Sequence, residues 1–216
     1  YDENTLGKIF RIESRVSGSR GIPGDWRQRK AQGGGMILDW GIHILDQALM
    51  MFDDKKLDSV YCQVTHITND EVDDGFIATL NYQDDSAYVI SVGTNNFIDY
   101  PRWHVQGING SAICEWDLSG KVVMVSDWEN KDAVPVRTGV GLTKTMAPRT
   151  DDSIQTFPLP YVEDKGFSGE HTLYNNICDV IEGKAEPIVT HAQQRRLIKV
   201  VEAMFESAEK NIVVKF

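Results

Sequence analysis

The 216-residue sequence predicts an α+β fold: an open, mostly antiparallel β-sheet with helices packed on one face. Three observations carry this. Six strand-like runs follow one another at about 57–67, 72–83, 86–94, 102–109, 112–117 and 121–126. Several breaks between them are short and hold turn chemistry: Asn69-Asp70, Asp84-Asp85, Asn109-Gly110 and Ser119-Gly120. Short breaks join antiparallel strands, because parallel neighbours need long crossovers. Helical patterns come before and after this run, so helices gather on one face and the other is left to water or a partner.

Each element has its own warrant. Residues 8–16 partly alternate and read as a strand, and 17–32, rich in Gly, Ser, Pro and Arg, read as a long loop. Ile37, Ile44, Leu45, Ala48 and Phe52 fall at helical spacing and predict a helix from about 36 to 52, ended by the polar turn 53–56. Residues 127–167, with Pro135, Pro148, Pro158 and Pro160, read as an irregular excursion. Within it, Gly139–Lys144 resembles a phosphate loop only superficially, because the spacing is wrong. Ser168 caps a predicted helix to about Glu182 with Gly183 as its stop, and Thr190 caps another to about Lys210. The stripe Leu197, Val200, Val201, Met204, Phe205 and Ala208 predicts the core face of that last helix. Residues 212–216 read as a final strand. The whole is expected to be one domain, 1–216, since the part after the excursion is too small to fold alone.

Composition narrows the function. With 41% apolar and 25% charged residues, the chain can bury one substantial core. No run of about 20 apolar residues is present, so no membrane span is expected. The start shows neither a basic nor an apolar leader and lacks Met, so it reads as cut. A net charge of −10 repels a phosphate backbone, which argues against nucleic acid as a partner. Cys62, Cys114 and Cys178 form no CxxC pair and are expected to be small core residues in a reducing, cytoplasmic setting.

The chemistry concentrates at residues 33–46. Gly33, Gly34 and Gly35 lead into an apolar helix carrying Asp39, His43 and Asp46, and no Lys, Arg or Glu occurs from Met36 to Phe52. Spacings of four and three put those three side chains on one helical face. An imidazole between carboxylates is suited to acid–base work on an alcohol or carbonyl, and the glycines allow close approach of a backbone or a ligand. A hydrogen-bonded core histidine is the competing interpretation. Trp26 and Arg27 offer a stacking ring and a forked donor for a polyhydroxylated ligand, or a loop anchor. His171, in the first turn of its helix, faces either a cleft or solvent. A metal bound by Asp39 and His43 needs a third ligand from His104, His171 or His191, and ranks lower.

The run Gly33-Gly34-Gly35-Met36-Ile37-Leu38-Asp39-Trp40-Gly41-Ile42-His43-Ile44-Leu45-Asp46 resembles the signature of the C-terminal domain of the glucose–fructose oxidoreductase / inositol dehydrogenase (Gfo/Idh/MocA) family. Leu173–Ile177, Gly183, Glu186–Thr190, Val201–Ala203 and Ser207-Ala208 are similar to its closing helices, and Gly7-Lys8-Ile9 and Trp26-Arg27 also fit. The resemblance implies a two-domain NAD(P)-dependent oxidoreductase of sugars, cyclitols or related polyols. His43 would be the proton carrier and Asp39 would orient it or bind substrate; Trp26, Arg27, Asp46 and His171 are the substrate-contact candidates that the residues themselves suggest. It also implies a homo-oligomer formed through the sheet face. The family's GxGxxG and Glu-Lys-Pro motifs are missing, so the chain reads as the C-terminal part, with its Rossmann domain as partner and NAD or NADP bound mainly there. Alone it is expected to be inactive. Two alternatives stay open: a non-catalytic binding or assembly module, and a metal-dependent lyase or hydrolase using Asp39 and His43.

Overall fold

The computed structural model describes residues 4–126, 153–159 and 169–216. The Gly139–Lys144 run, the Ser168 cap and most of the predicted excursion lie outside the described residues. The chain opens with β1 (Ile9–Ser17), passes two short helical turns at 26–28 and 30–32, and enters a wide helical turn (Ile37–Gly41) continuous with α1 (Ile42–Met51). Then come β2 (Leu57–Thr65), β3 (Gly75–Tyr82), β4 (Ala87–Gly93), β5 (Trp103–Gly107), β6 (Gly110–Cys114) and β7 (Gly120–Val125). The described chain ends with β8 (Ile154–Pro158), α2 (Gly169–Ile181), α3 (His191–Lys210) and β9 (Val214–Lys215).

The strands form one sheet in the order β8-β7-β6-β5-β1-β4-β3-β2-β9. Every neighbouring pair is antiparallel except β1 with β4. That exception follows from the chain path: α1 and the β2–β3–β4 meander carry it from β1 to β4, the long connection that a parallel pair requires. β4 and β5 are therefore not a hairpin, because β1 sits between them. The β5–β6 turn is Ile108-Asn109, one residue earlier than the Asn109-Gly110 expected, with Gly107 paired to Gly110. β8 falls in the stretch expected to be irregular. It is an edge strand, the place where a proline such as Pro158 is tolerated.

α1 and α3 cover one face. Ile12, Ile37, Leu45, Phe52, Val60, Leu80, Tyr88, Ile90, Val200 and Met204 are all at most 2% exposed and form the core. Phe52 joins the helices to the sheet through edge-to-face contacts with Tyr82 and Tyr88, at 5.1 and 5.7 Å. Ser207 is a buried clasp on α3: its Oγ accepts the Cys62 N–H at 2.8 Å and donates to the Ile212 carbonyl at 2.6 Å. Thr190 caps α3 as expected, in a reciprocal pair with Gln193. Three core assignments fail, and one of them is Cys114, which is only half-buried on β6. Phe205 is exposed, because it lies one position round from the buried Met204, and Cys178 is exposed on α2. On the opposite sheet face the centre is polar: Arg11 and Arg15 pair with Glu13 on β1.

Candidate active site

The backbone before α1 is wedged between two segments. Gly34 N–H donates to the Arg29 carbonyl at 3.0 Å and Gly35 N–H to the Arg27 carbonyl at 2.9 Å. A Cβ on Gly34 would sit 2.3 Å from the Arg27 carbonyl oxygen, and one on Gly35 (φ +104°) would sit 2.2 Å from Asp73 Oδ1. The glycines are thus needed for backbone packing. They form no phosphate cradle, and the N–H groups that follow are also engaged: Met36 N–H on the Asp73 carbonyl at 3.0 Å and Ile37 N–H on Asp73 Oδ2 at 2.8 Å. This stretch therefore does not fit a dinucleotide pyrophosphate.

The wide turn follows. Gly41 N–H donates to the Met36 carbonyl, five residues back, at 2.7 Å, which makes Ile37–Gly41 π-helical. Such a turn holds about one residue more than an α-turn, so the positions after it rotate back relative to an unbroken helix. Asp39 and His43 still share the wall of one hollow, and Gln47 takes the next place along it. Asp46 does not. The three-residue face expected of a regular helix is broken, and Asp46 lines a separate groove with Leu49, Asp53 and Arg196.

The hollow has a volume of about 970 Å³ and is bounded by Arg27, Asp39, Trp40, His43 and Gln47, with Asp99 and Trp116 opposite. Arg27 is fixed from three sides. Its Nε donates to Asp39 Oδ2 at 2.9 Å, its Nη1 donates to Asp25 Oδ2 at 2.6 Å, and its guanidinium lies 4.7 Å over the Trp26 ring. The hydrogen bond to Asp39, more than any other influence, holds the Arg27 guanidinium above its ordinary pKa. Asp39 thus finds its partner in Arg27, and among the described residues no hydrogen bond links it to His43. The His43 ring is exposed and meets the Trp40 indole edge-on, with centroids 6.3 Å apart. Trp40 and Trp116 are 47% and 42% exposed, so both offer free apolar surface.

Arg27, Asp39 and His43 are brought together. Trp26 backs Arg27 and is not part of the wall, and His171 is exposed on α2, also outside it. Gln47 went unnoticed in the sequence although it stands four residues after His43, a readable spacing. Trp40 was likewise readable. Trp116 and Asp99 arrive from distant turns and carry no local signal. Among the described residues no group of three His, Cys, Asp or Glu side chains is placed to hold a metal ion.

The model of the GFO/IDH/MocA C-terminal domain matches residues 1–113. Among solved structures, the chain is similar to an NAD-binding protein from Listeria innocua. The identity is 43%, the match covers 100% of this chain and 61% of that one, and the TM-score is 0.86. It is also similar to YPO2259 from Yersinia pestis and yvaA from Bacillus subtilis, both assigned as oxidoreductases. These share 20% and 19% identity over 100% of this chain and 59% and 60% of theirs, with TM-scores of 0.75 and 0.76. At that identity the likeness shows the fold. The chain spans about three fifths of the length of each of these proteins. The comparison with curated proteins gives no match.

Proposed function

The chain belongs to the GFO/IDH/MocA family, and on that premise we propose that it is the substrate-binding and oligomerisation domain of an NAD(P)-dependent dehydrogenase of sugars, polyols or cyclitols. The observation that carries this is the hollow lined by Asp39, held by Arg27, by the exposed His43 ring and by the part-exposed Trp40 and Trp116 indoles. A pyranose or cyclitol presents C–H faces to stack on Trp40 and Trp116, and hydroxyls to bond Asp39 and Gln47. His43 takes the hydroxyl proton as the alcohol is oxidised and returns it in reduction. Asp39 and Arg27 give the hydroxyls a rigid acceptor and donor. The Listeria relative is described as NAD-binding, which favours a nicotinamide cofactor, held by a nucleotide domain that packs against this one. Hence this chain alone is inactive. The same reading places the enzyme in the cytoplasm. Among the described residues no helix is long and apolar enough to cross a membrane.

His43→Ala in the enzyme that contains this chain is expected to lower turnover by about 10²–10⁴-fold while glucose or inositol still binds. Unchanged turnover would remove His43 from the mechanism. Calorimetric titration of the chain with the same polyols should show saturable binding that Asp39→Ala abolishes. Assembly is proposed through the open sheet face, where Ile77 is 47% exposed and Ser91 of β4 separates it from the Arg11–Glu13–Arg15 row. Light scattering that finds a monomer at all concentrations would end that part of the reading.

A further inference from the structure

Behind the helix start lies a carboxylate with no role in the chemistry above. Asp73 precedes β3 and is only 6% exposed. Its Oδ2 accepts the Ile37 N–H at 2.8 Å and its carbonyl accepts the Met36 N–H at 3.0 Å. Gly35 passes so close to Oδ1 that no side chain fits there. Three consecutive residues of the helix entry therefore rest on one aspartate, 36 positions away in sequence. The first N–H groups of a helix have no partner within it, and a negative charge there also meets the favourable end of the helix dipole. Asp73 forms no hydrogen bond with Asp39 or His43, yet it grips the point from which the wide turn departs.

We propose that Asp73 is the positioning residue of the site: by fastening the backbone at Met36 and Ile37 it holds the wide turn that sets the spacing of Asp39 and His43. This rests on reading Asp39 and His43 as the working pair. Without the carboxylate, nothing anchors Ile37 N–H and the turn is free to tighten to ordinary four-residue bonding. In that register Gly41 N–H would leave the Met36 carbonyl for that of Ile37, and Asp39 would turn relative to His43. Burial pushes the Asp73 carboxyl up to about 6, against the pull of the Ile37 and Met36 N–H groups and of His66. The other charged groups around it are Lys30, Glu71 and Glu209, which line the adjoining groove. Cys62 also feels it, though burial is what chiefly pushes that thiol up to about 12.

The test is nuclear magnetic resonance on this chain, reading the chemical shifts of the His43 ring and the hydrogen-exchange protection of the Gly41 amide. In Asp73→Ala, shown folded by circular dichroism, the His43 ring resonances should move and Gly41 should lose protection. Asp73→Asn, which keeps an acceptor for Ile37, should restore both. Parent values for both in the folded Ala variant overturn the proposal. If that variant does not fold, the parent carries the test: as Asp73 titrates, the Ile37 and Gly41 amide protons must shift together, and a flat Gly41 curve overturns it. The readout needs no substrate. A failure of the dehydrogenase reading would appear in the turnover of His43→Ala and leave these resonances as expected.

Discussion

Replacing Asp73 by Asn should change how stability depends on pH. The carboxyl is 6% exposed, so solvent screens it little. Burial raises its pKa from the ordinary 3.8 to about 6, roughly two units, and at 1.36 kcal/mol per unit the linked free energy is about 3 kcal/mol. The sign follows from which state holds the proton. Below the unfolded pKa both states are protonated and nothing is lost. As pH rises, the unfolded chain releases its proton first, while the folded chain must ionise a buried acid. Stability therefore falls as pH climbs from about 4 to about 6 and levels off above that. Asparagine has no proton to release and still offers an oxygen to Ile37. The stability of Asp73→Asn minus that of the parent should thus move in the variant's favour by about 3 kcal/mol between pH 4 and pH 7. Urea unfolding at half-unit steps of pH measures this difference. Asp84 slopes the other way: burial opposes its ionisation, but Lys55 and Ser86 overcome that and hold it low. Asp58, paired with Lys215, is held low too. Both contribute stability that is lost on acidification, and both are common to the two chains and cancel in the difference. A difference curve flat from pH 4 to pH 7 would refute the reasoning.

Two further substitutions probe the frame. Ser207→Ala leaves the Cys62 N–H without its 2.8 Å acceptor in the core and should lower unfolding stability by about 1–3 kcal/mol, read as a lower urea midpoint with unchanged slope. Thr190→Ala removes the α3 capping box and should cost about 1 kcal/mol in the same assay, leaving the His43 ring resonances where they were.

Much of the frame was legible because it is local. Hairpins show themselves through Asp84-Asp85 and Ser119-Gly120, and α3 through Thr190 and its apolar stripe. The position of β1 was not legible. Ile12 is fully buried between two strands that come 75 or more residues later, and nothing near it announces which neighbours it takes. β8 was hidden by Pro158, which reads as a breaker until its place on a sheet edge is known. In the site, Arg27, Asp39 and His43 could be read because they cluster within 17 positions of an unusually uncharged helix. Asp73, Asp99 and Trp116 could not, since each reaches the site by folding rather than by spacing.

Asp46 shows where periodicity itself gives out. Counting at 3.6 residues per turn puts it beside Asp39 and His43, and the count is sound wherever the helix is regular. The helix is irregular at Ile37–Gly41, and the reasons lie on both sides of it. Gly34 and Gly35 let the entering strand press against Arg27 and Asp73, and Asp73 then takes Ile37 N–H. A backbone pinned at both Met36 and Ile37 closes its first turn over five residues, as the Gly41 to Met36 bond records. Relative to Asp39 the extra residue sets the later positions back, so that Gln47 lines the hollow with it while Asp46 lines the Arg196 groove, and Asp39 bonds Arg27. The glycine triplet and the distant aspartate are therefore parts of one device, and its product is the side-chain geometry of the site.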